Sequence, residues 1–341
     1  MKFSPKECHK RIFDKIKPAL HWNGDTPINE HREICRNKLI NLLGLDNMEK
    51  CEPMVQIIKR EKLNENEHIH FIVQVERDYF VNCHLLLPEG RQGKLPLCTC
   101  LEGHVSGAHL ALGIEKFPYD ETYISHDVDF CYQAVKHGFA GLAIEQRGFG
   151  ENGGNPENGA TNCSHIASEA ILMGRTLIGE RVWDIQRVID AVLDSFSDIV
   201  TMDGSILMGE SGGGTATYYT ACLEERFELY VPIVALCTLK DSIMPIEHCL
   251  CNYIPGIAKY FDMGDLSVLI APKKILIFST TNDEWFPLNG AREAYCELER
   301  IYNAYGAKDN CKMLVCEGGH RFFANKGWQE MIKLLNMEGT K

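Results

Sequence analysis

The amino-acid sequence predicts an α/β fold: a mostly parallel central sheet with helices on both faces and an antiparallel N-terminal start. Three observations carry that expectation. From residue 95 onward short apolar runs alternate with segments of helical period; three strand-like runs precede them with no helix between; and one apolar run feeds a helix through Gly209-Glu210-Ser211-Gly212-Gly213. Strands alternating with helices imply parallel pairing through right-handed crossovers, whereas strands joined by short polar turns pair antiparallel.

Residues 1–50 read as a helical extension. Apolar residues recur at helical spacing through Ile12, Ile16 and Leu20 and again through Ile34, Leu39, Leu42 and Leu43, ending near Gly44. Residues 51–341 then read as one catalytic domain. Met54–Arg60, His68–Glu76 and Phe80–Pro88 form the antiparallel opening, the last two separated by a short polar turn. Six further strands are expected at Leu95–Leu101, Phe139–Ile144, Ser205–Met208, Tyr230–Leu236, Lys274–Ser279 and Lys312–Cys316. The clearest helices between them are Asp127–His137, Leu177–Phe196, Thr215–Leu223 and Leu288–Tyr305. In the second of these, Ile178, Val182, Ile185, Val188, Ile189, Val192 and Phe196 form one apolar stripe, the mark of a helix packed on a core. The long irregular stretch 238–273 reads as a lid-like insertion.

Composition narrows the function. A chain of 341 residues with 45% hydrophobic content can bury a substantial core. Its net charge of −12, with Lys and Arg dispersed, argues against nucleic acid or an anionic membrane surface as the main partner. The sequence Met1-Lys2-Phe3-Ser4-Pro5-Lys6-Glu7 lacks the apolar core of a signal peptide, and no stretch reaches membrane-spanning length. Fifteen scattered cysteines without that signal suit the reducing cytoplasm. Cys98-x-Cys100, Cys249-x-Cys251 and His68-x-His70 each lack an evident second half of a metal site, so no metal is expected; His104 as a zinc ligand lacks partners in the same way.

The candidate site is built outward from Ser211. G-x-S-x-G between a strand and a helix forces a turn so tight that small residues must flank the serine, and it presents the hydroxyl at the carboxyl end of the sheet. A serine hydroxyl becomes a competent nucleophile when a histidine takes its proton and a carboxylate steadies the imidazolium. Only His248 and His320 follow Ser211, and His320 alone lies directly after a strand, in Glu317-Gly318-Gly319-His320; it is the expected base. Asp283, in the exit loop of the Lys274–Ser279 strand, is the expected acid, with Glu284 its adjacent runner-up and Asp241 a weaker third. Acyl transfer also needs two N–H donors for the oxyanion. Gly212 supplies one; the loop Glu102-Gly103-His104-Val105 supplies the other, assigned to His104 with Val105 as the alternative.

In these residues, and in the chain order Ser211, Asp283, His320, the sequence resembles the α/β-hydrolase superfamily. Gln146-Arg147-Gly148-Phe149-Gly150, Gly179-Glu180-Arg181-Val182-Trp183-Asp184, Cys251-Asn252-Tyr253-Ile254-Pro255-Gly256, Ile270-Ala271-Pro272 and Asp283-x-x-Phe286-Pro287 resemble segments of the acetyl xylan esterase and cephalosporin C deacetylase group and of dienelactone-hydrolase-like esterases. These matches spread over roughly residues 95–325. The chain departs from the group in two places: it has Glu102-Gly103 where H-G is common, and Glu210 and Gly212 flank the serine. Glu102 would thereby place negative charge near the pocket and disfavour anionic substrates.

The resemblance implies a serine esterase that needs neither metal nor organic cofactor. Tyr253, Trp285 and Phe286, with Glu102, are the expected substrate-binding residues, and an aromatic, largely uncharged wall suits a small-acyl, foremost acetyl, ester of a small molecule such as a sugar. A peptidase or lactone hydrolase with the same triad, and a non-catalytic binding protein on the same fold, are the alternatives. The N-terminal extension could support the lid or contact a second copy in a homo-oligomer.

Overall fold

The computed structural model describes residues 3–153 and 159–336; the outer bounds of the two expected units, residues 1 and 341, lie outside them. Nine strands form one sheet: β1 (Met54–Leu63), β2 (Asn66–Glu76), β3 (Tyr79–Leu87), β4 (Leu95–Leu101), β5 (Ala140–Ile144), β6 (Val200–Glu210), β7 (Leu229–Ile233), β8 (Lys274–Thr280) and β9 (Cys311–Cys316). Their order across the sheet is β1-β2-β3-β5-β4-β6-β7-β8-β9. β1, β2, β3 and β5 pair antiparallel in turn, and every pairing from β5 through β4 to β9 is parallel. The antiparallel opening and parallel body follow from the sequence pattern: two short polar turns join the first three strands, and helices separate most of the rest.

The helices are α1 (Lys6–Phe13), α2 (Ile28–Leu43), α3 (Asp120–Ile124), α4 (Phe130–Lys136), α5 (Cys163–Leu172), α6 (Leu177–Ser195), α7 (Gly212–Leu223), α8 (Ser267–Ile270), α9 (Leu288–Ala304) and α10 (Ala324–Leu335). Side chains alternate across the parallel strands into two cores. Leu207, Ile275 and Ile277 join the apolar faces of α2, α6, α7, α8 and α9, while Ile206, Met208, Leu276 and Phe278 join those of α4 and α10. All seven residues of the predicted α6 stripe are at most 2% exposed.

Several boundaries differ from the expectation for identifiable reasons. The helical reading of residues 1–50 breaks between α1 and α2, where Pro18, Gly24 and Pro27 interrupt it. α4 starts three residues late because Asp127 takes a left-handed backbone (φ 65°). The seventh strand ends at Ile233 because Val234 turns the chain with φ 44°. α5 and α10 were not anticipated. Residues 14–21 lie against the insertion: the Ala19 N–H donates to the Lys259 carbonyl (2.9 Å) and the Leu20 N–H to the Tyr260 carbonyl (3.0 Å). α2 buries Cys35, Leu39 and Leu43 in the main core. Among the described residues, no helix is long and apolar enough to cross a membrane.

Candidate active site

β5 lies on one side of β4 and β6 on the other, so the chain crosses the sheet in opposite senses from this point. Open α/β sheets place ligands at the carboxyl ends of strands where that reversal occurs. Leu101 pairs with Gly209 at the ends of β4 and β6, which sets the loop Glu102–Val105 directly beside Ser211.

Ser211 stands in the left-handed half of backbone space, φ 54° and ψ −114°, between β6 and α7. A non-glycine residue is held there only by its surroundings, and these are tight. A Cβ on Gly209 would lie 2.5 Å from the Gly213 carbonyl oxygen, and one on Gly213 would lie 2.1 Å from that of Leu101. Both glycines of G-x-S-x-G are therefore required by close backbone approach. The Ser211 N–H donates to the Ile233 carbonyl (2.9 Å), which fixes the turn to β7.

His320 lies in the loop after β9 and Asp283 in the loop after β8. His320 Nδ1–H donates to Asp283 Oδ2 at 2.9 Å, leaving Nε2 free of that bond. The other carboxylate oxygen of Asp283 accepts the N–H groups of Trp285 and Phe286, each at 2.9 Å, and the side chain is buried. The Asn282 N–H donates to the Gly318 carbonyl (2.8 Å) and the Gly318 N–H to Thr281 Oγ1 (3.2 Å), so the acid and base loops are tied to each other. Phe286 stacks on the imidazole with ring centroids 6.0 Å apart. Glu284, the alternative acid, points to solvent, and Asp241 accepts from Thr238 Oγ1 instead.

A cavity of ≈ 420 Å³ opens above Ser211, and its walls include His104, Glu210, Gly212, Trp285, Phe286 and His320. Gly212 is the first residue of α7, so its N–H has no acceptor within the helix. The Val105 N–H is used by the Gly103 carbonyl (2.9 Å), whereas among the described residues the His104 N–H makes no hydrogen bond. A Cβ on Gly103 would sit 3.0 Å from the Glu210 carbonyl oxygen and 3.1 Å from Ser211 Cβ, so glycine lets this loop approach the serine without crowding it.

Two expected substrate contacts fall elsewhere. Glu102 is 3% exposed, lies outside the cavity wall, and among the described residues neither carboxyl oxygen has a hydrogen-bond partner. Burial pushes its carboxyl well above the carboxylate range, with Glu210, Glu145 and Asp129 adding to the effect. Burial thus disfavours the charged form of this carboxyl, which stands off the cavity wall. Tyr253 lines a neighbouring apolar cavity of ≈ 220 Å³ that shares Asn252 and Phe286 with the first. Phe13 and Ile16 of the N-terminal segment close its far side.

Tyr123, His126, His248 and Cys249 also line the larger cavity: His248 enters the sequence reading only as the less favoured base and Cys249 only as half of a Cys-x-Cys pair, while nothing in the sequence marks Tyr123 or His126. Tyr123 lies on the short helix α3, and the other three come from irregular segments whose route over the sheet has no periodic signal. His248 is held by Ser242 Oγ at 2.9 Å, and burial lowers its pKa. The carboxyl of Glu210 is pushed up to about 7 by burial, opposed by the charge of His320 and the Phe322 N–H.

The motif segments around Arg147 and Asp184 meet as one ion network. Arg147 Nε and Nη2 donate to the two oxygens of Asp184 at 2.7 and 2.9 Å, Nη2 also donates to Glu76 (2.8 Å), and the guanidinium lies over the Tyr79 ring. Gln146 Nε2 donates to the Glu102 carbonyl (2.6 Å), so this network braces the loop that carries His104. The fold also gathers what the sequence left apart: the Cys249-x-Cys251 pair lies against Cys163 and His104.

No protein-family model matches the chain. It is 26% identical over 291 residues to "Putative hydrolase YtaP" of Bacillus subtilis, covering 84% of this chain and 92% of that protein. Among solved structures, a "putative acetyl xylan esterase" of Bacteroides fragilis superposes with a TM-score of 0.76 at 14% identity, over 93% of this chain and 83% of that one. A glucuronoyl esterase of Solibacter usitatus gives 0.67 at 12% identity over 95% and 100% of the two chains. An acetyl xylan esterase of Paenibacillus sp. R4 gives 0.58 at 18% identity over 98% and 99%. Sheet order, serine turn and these superpositions together establish that the chain has the α/β-hydrolase fold, in a form shared with acetyl xylan and glucuronoyl esterases.

Proposed function

We propose that the protein is a serine carboxylesterase that hydrolyses small-acyl esters, foremost acetyl esters, with esters of carbohydrates as the substrate class. The observation that carries this reading is the Asp283-bonded His320 sharing one cavity wall with Ser211 on its strained turn. Ser211 Oγ attacks the ester carbonyl as its proton passes to His320 Nε2, and Asp283 stabilises the imidazolium. The N–H groups of Gly212 and His104 receive the oxyanion. His320 then returns the proton to the departing alcohol oxygen, leaving the acyl group on Ser211. Water, deprotonated by His320, attacks that acyl carbon, and the serine leaves with the proton.

The carbohydrate class draws support from the esterase neighbours and from the cavity. Its volume exceeds an acetyl group, its rim carries Trp285, Tyr123 and three further histidines, and among the described residues no lysine or arginine lines it. A neutral polar alcohol fits such a wall. A second reading, hydrolysis of longer acyl esters, is favoured by one observation: the adjoining apolar cavity behind Asn252 and Phe286 could take a chain. A series of p-nitrophenyl esters from acetyl to octanoyl separates the two. We expect turnover to fall with chain length and to be lost in Ser211→Ala; a maximum at octanoyl would select the second reading, and no turnover on any ester would overturn both.

A further inference from the structure

Four side chains from three separate segments meet beside the catalytic cavity. Cys163 opens α5, Cys249 and Cys251 lie in the 238–273 insertion, and His104 follows β4. Their three sulfurs and one imidazole nitrogen all lie within 4.8 Å of one another, with His104 Nε2 3.3 Å from Cys251 Sγ. A tetrahedral zinc ion with Zn–S near 2.3 Å and Zn–N near 2.0 Å needs donors about 3.5–3.8 Å apart, so the four groups are within about 1 Å of that arrangement. Three thiols with one imidazole are a soft donor set that selects zinc over hard cations.

A second observation concerns charge. Arg181 is 1% exposed, and its guanidinium donates to the Arg147 carbonyl through Nε (3.0 Å) and Nη2 (2.8 Å) and to Cys163 Sγ through Nη2 (3.2 Å). Among the described residues its Nη1 has no hydrogen-bond partner. The nearby carboxylates Glu76, Glu180 and Asp184 pair with Arg147 and Arg175, and among the described residues none pairs with Arg181. With three neutral thiols this would be a buried cation lacking an anion, an unfavourable state. Zinc bound by three thiolates and a neutral imidazole carries one net negative charge, which the guanidinium offsets.

We propose that His104, Cys163, Cys249 and Cys251 form a structural zinc site, with Arg181 as its counter-ion. On binding, each thiol releases its proton to solvent and the imidazole coordinates through Nε2. Four protein ligands close the coordination sphere, so the ion does not meet substrate. It ties the insertion and α5 to the loop that carries His104 beside Ser211. Phe149, packed edge-on against the His104 ring at 4.8 Å, and Asn252 Nδ2, 3.7 Å from Cys251 Sγ, support the ligands from outside.

Elemental analysis of the protein, purified under reducing conditions without chelator, tests the site independently of catalysis. We expect about one zinc per chain, lost in Cys251→Ser and Cys163→Ser and retained in Cys296→Ser, whose thiol is exposed and away from the cluster. Should the buried-cysteine variants fail to fold, wild-type protein produced in cobalt-supplemented medium serves instead. It should show sulfur-to-cobalt charge transfer and the visible bands of tetrahedral cobalt. Wild-type protein with neither zinc nor the cobalt spectrum, zinc retained in both serine variants, or a disulfide among these cysteines in freshly prepared protein would overturn the proposal.

Discussion

Serine, histidine and aspartate meet in two different arrangements in this fold. In one, Ser106 Oγ donates to Asp120 Oδ1 at 2.6 Å, and His109 Nε2 donates to the other oxygen at 2.8 Å while lying 3.3 Å from the same hydroxyl. Asp120 sits in the middle and also accepts the N–H groups of Lys116 and Phe117, each at 2.9 Å. All three side chains are at most 4% exposed. In the other, histidine is bonded to aspartate, the serine stands apart on a strained turn, and a cavity opens above them. The residue types are the same; the order of contact and the access differ. A hydroxyl that donates to a buried carboxylate has its proton committed, and no substrate can reach it. Nucleophilic chemistry needs the histidine to face the serine, and water and substrate to face both.

This contrast can be broken by substitution. Ser211→Ala should lower kcat by on the order of 10⁴–10⁶, whereas Ser106→Ala should leave kcat unchanged and cost about 1 kcal/mol in a denaturant titration. Asp283→Asn should lower kcat about 10⁴-fold through loss of the imidazole orientation, with stability little changed. Asp120→Ala should do the reverse: it strands four donors in the interior and should destabilise by about 3–5 kcal/mol, while the folded fraction keeps its turnover.

The pH dependence of stability sharpens the same point. Burial alone would raise the carboxyl of Asp120, yet the hydrogen bonds from Ser106, His109, Lys116 and Phe117 hold it below its ordinary 3.8. A group depressed in the native state stabilises above its unfolded pKa and loses that contribution as pH falls through the native one. Stability should therefore drop below about pH 4, and Asp120→Asn, measured by urea denaturation across that range, should flatten the drop.

Smaller effects are expected at the edges of the site. Gly103→Ala places a methyl against Ser211 Cβ and should slow kcat by on the order of 10²-fold through misplacement of the loop donor. Glu210→Gln removes a carboxyl that titrates near 7 beside His320. Losing that negative charge disfavours the imidazolium, so the acid limb of kcat/KM should move to lower pH in the variant.

The two clusters also show what a sequence discloses. Ser211, His320 and Asp283 were legible because each sits where a strand ends, and strand ends are marked by apolar runs meeting glycine or polar loops. Ser106, His109 and Asp120 carry no such mark, since their meeting depends on how a loop without period folds back on itself. The same reason hid the cysteine cluster: Cys163 and His104 lie far in sequence from Cys249 and Cys251, and only the packing of α5 under the insertion joins them. α10 was visible in principle, since Trp328, Met331 and Leu334 follow helical spacing and are buried. At Glu102 the sequence discloses a carboxyl but not its burial, which depends on how the loop after β4 packs.

Covalent labelling tests the central claim most directly. The protein should be treated with a fluorophosphonate and, separately, trapped with p-nitrophenyl acetate under acid quench, and its peptides read by mass spectrometry. A single adduct on Ser211, absent from Ser211→Ala and unchanged in Ser106→Ala, is the predicted result. Labelling at another residue, or ester hydrolysis persisting at full rate in Ser211→Ala, would contradict it.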